Sequence, residues 1–156
     1  MKRLLLLVAA LAVAAVTIPV AGSVAAGPKM EKADGTGESP MYGRVHVNAK
    51  DQGGDPQGHF FIGPAMGPVE VQGDVTCITQ TGNRALVGGF DRQTGMPYLI
   101  EVIDNGQPGA GADQHRWRPA QPDEVSGPDC NDQFSQNQPR ETIVQGNYVV
   151  PTGSGG

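Results

Sequence analysis

Apolar and polar residues alternate with a period of two along most of the chain after residue 40. In 41–50, Val45, Val47 and Ala49 face one way and Arg44, His46 and Asn48 the other, which predicts a strand buried on one side. The Gly- and Asp-rich run 51–58 ends it. A short strand over 59–62 follows, and Gly63, Pro64, Gly67 and Pro68 break that one. A third strand is expected over 69–79, with Val69 and Val71 on one face, then Val75, Cys77 and Thr79 together. Gly73 within it marks a bulge or a barrel corner. In 84–90, Leu86, Gly88 and Phe90 lie opposite Ala85, Val87 and Gly89, and the adjacent glycines predict sharp curvature or close backbone packing. Residues 91–95 read as a hairpin loop. The strand over 97–104 is apolar on both faces, with Tyr98, Ile100 and Val102 against Leu99 and Ile103, so it should be covered on both sides. A weaker segment, 113–118, sets His115 and Trp117 against Gln114, Arg116 and Arg118. Residues 142–150 supply the closing strand.

The stretch 71–109 has the densest alternation and reads as the structural centre: two hairpins and one cysteine. No useful helical period occurs after the N-terminal segment. About seven short strands define an all-β chain. In-strand glycines favour a small antiparallel β-barrel; the alternative is a compact β-sandwich. Residues 119–138 are polar and proline-rich and read as a long loop pinned by Cys130.

The beginning of the chain follows different rules. Lys2 and Arg3 precede the apolar run 4–20, and small residues follow at Ser23, Ala25 and Ala26. This is the layout of a secretory signal peptide over 1–26, cleaved after Ala25 or Ala26 and read by the general secretory route. Residues 27–40 lack periodicity and large apolar side chains and are expected to be a flexible linker. The all-β domain then spans 41–150, with a flexible tail over 151–156.

Charge narrows the partners. Removing Lys2 and Arg3 from the 11 basic residues leaves 9 against 16 acidic ones, a formal charge of −7. A nucleic acid or an anionic membrane surface demands a basic face, so neither is expected as a partner. Cys77 and Cys130 are the only cysteines, and in a secreted chain they should pair. With roughly 50 residues in the closed loop, the bond should contribute on the order of 4 kcal/mol.

Candidate chemistry is sparse. His46, His59 and His115 are not spaced as a zinc motif. The loop 104–113 gathers oxygen donors, and Asp104, Asn105 and Asp113 are candidate Ca²⁺ ligands, although the order of an EF-hand is missing. Asx-turn capping of the backbone is the competing explanation. Glu101 interrupts an apolar strand, and with Glu70 it is the nearest approach to a catalytic carboxylate pair; a strand face open to water competes. No serine sits in G-x-S-x-G, and no phosphate-binding loop or dinucleotide fingerprint occurs. Trp117, flanked by Arg116 and Arg118, is a candidate binding surface for a sugar or peptide; its alternation with His115 argues for a core position instead.

Taken in order, several short matches form a pattern: Asn48-Ala49-Lys50, Gly58-His59-Phe60, the run from Val71 to Cys77, the loop Asp104-Asn105-Gly106-Gln107-Pro108-Gly109 with Asp113 after it, and Gly146-Asn147 in the last strand. This resembles the post-COAP type of secreted bacterial β-domain, common in actinomycetes, over roughly 41–150. Gln107 stands where that family usually has Glu. The resemblance implies an extracellular all-β module with no assigned activity. The sequence therefore leads to a secreted, non-catalytic module with an extracellular or cell-envelope ligand. The alternatives are a hydrolase-like enzyme with an unrecognised site and a purely structural protein.

Overall fold

The computed structural model describes residues 30–131, 134 and 137–152. The segment expected to be a signal peptide and the end of the tail lie outside these residues. Nine antiparallel strands form one curled, barrel-like sheet: β1 (Met30–Ser39), β2 (Gly43–Gln52), β3 (Pro56–Gly63), β4 (Val71–Thr81), β5 (Arg84–Asp91), β6 (Pro97–Ile103), β7 (Gln114–Pro119), β8 (Glu141–Thr142) and β9 (Gln145–Val149). A single turn of helix, α1 (Pro122–Val125), lies between β7 and β8. No helix among the described residues is long and apolar enough to cross a membrane.

The first seven strands form a meander, each pairing with the next. β8 then pairs with β7, and β9 with β1, the opposite end of the sheet. Only Ile143 and Val144 separate them. Ile143 N–H donates to the Asp113 carbonyl beside β7, while Val144 N–H donates to the Glu38 carbonyl on β1. One short segment thus binds both ends of the sheet.

Strand alternation sorts the side chains. Ala33, Val45, Val47, Phe60, Ile62, Val75, Ile78, Val87, Ile100, Val102, Ile143 and Tyr148 fill the concave side. A second cluster, Cys77, Leu86, Leu99, Ala120, Val125 and Cys130, lies on the convex side, under the segment between β7 and β8. β6 is covered on both faces, as its double apolar pattern predicts. The Cys77–Cys130 disulfide forms, with Cα atoms 5.0 Å apart and 53 residues of separation. Thr76 Oγ1 donates to the Val125 carbonyl at 2.6 Å, and Thr79 Oγ1 to that of Cys130 at 3.2 Å, so the segment is also hydrogen-bonded down.

Three expectations are corrected. Residues 30–39 are a strand, not linker, and pair on both sides with β2 and β9. Gly37 stands on their concave face because Tyr148 from β9 occupies that space, where a Cβ would lie 2.7 Å from the tyrosine ring; a Cβ on Gly35, whose φ is +138°, would instead meet the Asn147 carbonyl oxygen at 2.2 Å. The apolar mass of this strand is therefore supplied by another strand. Val75 and Cys77 do not share a face, because a β-bulge between them shifts the register. The strands number nine rather than about seven, because β1 is added and the closing strand is broken at Ile143 and Val144.

Candidate functional site

The three residues of the proposed Trp117 surface do not form one surface. With a period of two, Trp117 points to the concave side and Arg116 and Arg118 to the convex side. Trp117 packs against the core, 6.1 Å from Tyr98 between ring centroids, and its Nε1–H donates to the Tyr42 carbonyl at 2.8 Å. Arg118 forms a two-pronged ion pair with Glu124 of α1 at 2.7 and 2.9 Å. Both guanidiniums lie over the Phe134 ring, at 4.2 Å for Arg116 and 5.1 Å for Arg118.

Arg116 belongs to a buried charge cluster centred on Glu101. The Glu101 carboxylate is fully buried and accepts hydrogen bonds from Arg84, from Arg116 Nε at 2.6 Å and from Arg140 Nε at 2.7 Å. Burial alone would push its pKa up, but the bonds from Arg140, Arg116 and Arg84 outweigh it and hold the pKa at about 2. Glu101 is therefore a fixed anion, neither open to water nor raised toward a general acid. Glu70 sits in the exposed connection before β4, on no strand, so the two glutamates are not placed as a working pair.

The 104–113 loop spends its carboxylates on the backbone. Asp104 accepts from the N–H groups of Gly106 at 2.9 Å and Val150 at 3.1 Å. Asp113, fully buried, accepts from Asn105 N–H and Tyr148 N–H, each at 2.8 Å. Asn105 donates to the Ala112 carbonyl. Asp113 thus fastens the loop to β9, which is the turn-capping chemistry of Asp and Asn. Among the described residues, no three His, Cys, Asp or Glu side chains gather where they can hold a metal ion.

The histidines divide into two settings. His115 is buried at the seam, between Ser39 on β1 and Tyr148 on β9. Burial lowers its pKa to about 4, against a smaller upward pull from Glu141. Its partner Ser39 is also buried, so this Ser–His contact is sealed from substrate. His46 and His59 lie on the convex face of β2 and β3 with their rings stacked.

One end of the sheet stands apart. Because the meander alternates direction, the β1–β2, β3–β4 and β5–β6 connections project from the same end. They carry Met41, Met66, Val69 and Met96, all exposed, and Met66 is 92% accessible. Val71 and Tyr98 open β4 and β6 at this end, and Trp117 lies near the end of β7. Val71, Tyr98 and Trp117 are the concave-side apolar residues that remain partly open. Tyr98 is still shielded enough that burial, helped by Asp91, raises its pKa. Flexible thioethers and half-open aromatic rings thus share one end of the sheet, its apolar mouth. Sequence reading finds Trp117 but misses the methionines, which are single residues in separate turns.

Compared with protein-family models, curated proteins and solved structures, the chain gives no match.

Proposed function

We propose that the chain is a secreted, non-catalytic β-barrel module of the post-COAP type that binds an extracellular or cell-envelope ligand at its apolar mouth. The segment 141–149, paired to both ends of the sheet, is taken as the closure of the barrel. A disulfide that ties down the long loop fits an oxidising compartment. The observation that carries the binding reading is the convergence on one end of Val71, Tyr98 and Trp117 with exposed Met41, Met66, Val69 and Met96. A cluster of exposed apolar side chains costs solubility and marks a site of use. Its chemistry suits a ligand with an apolar portion.

Trp117 is the sole tryptophan, so its emission reports on this mouth directly. The test is a fluorescence titration with decanoate and octyl glucoside, both kept below micelle formation. A saturable shift in emission that is weakened by Tyr98→Ala supports the reading. No saturable shift with either probe, or one unchanged by Tyr98→Ala, rejects it.

A further inference from the structure

On the convex face of β2 and β3, three aromatic rings are grouped away from both the core and the mouth. His46 and His59 stack with centroids 5.4 Å apart and ring planes 29° from parallel. Phe61 packs on both, at 5.4 Å from His46 and 5.2 Å from His59. The strand register produces this grouping: His46 is opposite Phe61, and His59 is opposite Asn48, so the imidazoles are diagonal neighbours on one face. They are 13 positions apart in sequence, which hides the pair from any motif.

We propose that His46 and His59 form a surface site for a divalent transition-metal ion, with Cu²⁺ preferred over Zn²⁺. Two features carry this. First, the spacing fits. Two imidazole nitrogens each ~2.0–2.1 Å from one metal, with the ligands near a tetrahedral angle, put the ring centroids about 5 Å apart. The observed 5.4 Å is near this value, and rotation of the stacked rings about their side-chain torsions aims both nitrogens at one ion. Second, His46 already has the outer partner of a metal-bound histidine. Its Nδ1 shares a 2.8 Å hydrogen bond with Thr36 Oγ1. With Nδ1–H donating to that hydroxyl, the Nε2 lone pair is left for the metal, as in ligand histidines oriented by a second group.

No third His, Cys, Asp or Glu completes the set among the described residues, so water fills the remaining positions. Asp74, opposite His59, is engaged by Arg92. Cu²⁺ heads the affinity order of divalent ions for nitrogen ligands, and this sets its preference over Zn²⁺. The site is separate from the mouth, so it stands or falls independently of the binding reading.

The test uses the purified chain, stripped with chelator and titrated with Cu²⁺ and then Zn²⁺ by calorimetry, with electron paramagnetic resonance of the Cu²⁺ form. The expected result is one Cu²⁺ per chain with a two-nitrogen hyperfine pattern and a weaker Zn²⁺ isotherm. His46→Ala and His59→Ala should each abolish this binding while circular dichroism stays unchanged. Thr36→Ala should weaken it about tenfold, the scale of outer-partner loss. Absence of saturable binding overturns the proposal. So does binding of unchanged affinity in the double variant His46→Ala/His59→Ala, which would place the ion elsewhere, for example on the terminal amine.

Discussion

Ser39 and His115 meet across the seam of the sheet, 76 residues apart in sequence, through a buried 2.7 Å hydrogen bond. The surrounding bonds assign its direction. Tyr148 Oη donates to the Val45 carbonyl at 3.1 Å, so its oxygen accepts from His115 Nδ1–H at 2.6 Å. Nε2 is then the acceptor, and Ser39 Oγ–H donates to it. Ser39 Oγ in turn accepts the Tyr42 N–H. The circuit joins β1, β2, β7 and β9, the strands where the sheet meets itself.

Removing the donor should loosen that seam. Ser39→Ala leaves a buried imidazole nitrogen unpaired, at a cost of about 1–3 kcal/mol. Chemical denaturation at neutral pH measures it; an unchanged midpoint would reject the hydrogen-bond assignment.

The same histidine sets an acid limit on stability. Its folded pKa of about 4 lies below the ordinary 6.5, so the unfolded chain binds the extra proton. The stabilisation is complete above pH 6.5 and is lost as pH falls toward 4. Full loss amounts to roughly 3 kcal/mol. Denaturation midpoints across this window should fall in the parent chain, and the slope should flatten in His115→Gln where that variant folds. Nuclear magnetic resonance titration of His115 in the parent gives a check that requires no variant: an imidazole titrating near 6.5 sinks the argument.

Glu101 acts in a lower window. Its folded pKa of about 2 lies below the ordinary 4.5, so its contribution is complete above pH 4.5 and fades as pH falls toward 2. Glu101→Gln should cost about 3 kcal/mol at neutral pH, because removing one member of a buried ion cluster leaves guanidiniums without their anion. Arg140 is partly exposed, so Arg140→Gln should cost clearly less. Equal effects of the two substitutions would contradict a cluster centred on Glu101.

What was legible in the sequence followed what the physics writes locally. Val45, Val47 and Ala49, or Ile100 and Val102, carry their burial in their own alternation, and the structure buries them as read, with Tyr98 on the same face but partly open. The cysteine pair needed only composition and compartment. β1 was not legible, because Gly37 is complementary to the Tyr148 ring and Gly35 to the Asn147 backbone, both more than 100 residues away. The bulge after Val75 reversed Cys77 by inserting one residue, which no apolar pattern records. Glu101 gave a signal, a charge inside an apolar strand. Its answer lay in Arg84, Arg116 and Arg140, brought in by three other segments. The mouth and the His46–His59 pair are likewise products of strand order and register.

Gly73 shows how tightly the concave side is fitted. A Cβ built there would lie 2.0 Å from Phe60 Cζ, and Phe60 is fully buried. Gly73→Ala should therefore destabilise by about 2 kcal/mol or more, because overpacking a dense core forces rotamers and backbone to shift. Phe60→Leu alone should also destabilise, by removing ring contacts. Combined, the two should cost less than their sum, since the smaller side chain makes room for the methyl. Strict additivity in the double-mutant cycle would mean that Phe60 and Gly73 do not touch.

The disulfide should matter as much as any of these contacts, and its loss should be felt locally first. Cys77 to Cys130 encloses a loop of 53 residues' separation, for which the chain-entropy estimate is about 4 kcal/mol. Beneath it, a Cβ on Gly88 would lie 2.6 Å from both Cys77 Sγ and Val125 Cγ1, so the bridge and α1 are seated directly on β5. Cys77→Ala/Cys130→Ala should lower the denaturation free energy by about that amount. Hydrogen exchange should rise first at the Ile78 and Asn131 amides, which bond to the Pro128 and Glu124 carbonyls. The amides of β2, whose concave face packs in the main cluster, should exchange later. Mass spectrometry of the native chain should find no alkylatable thiol. Two alkylatable cysteines would remove the bridge, and simultaneous exchange of both sets would show that the covering segment does not open by itself.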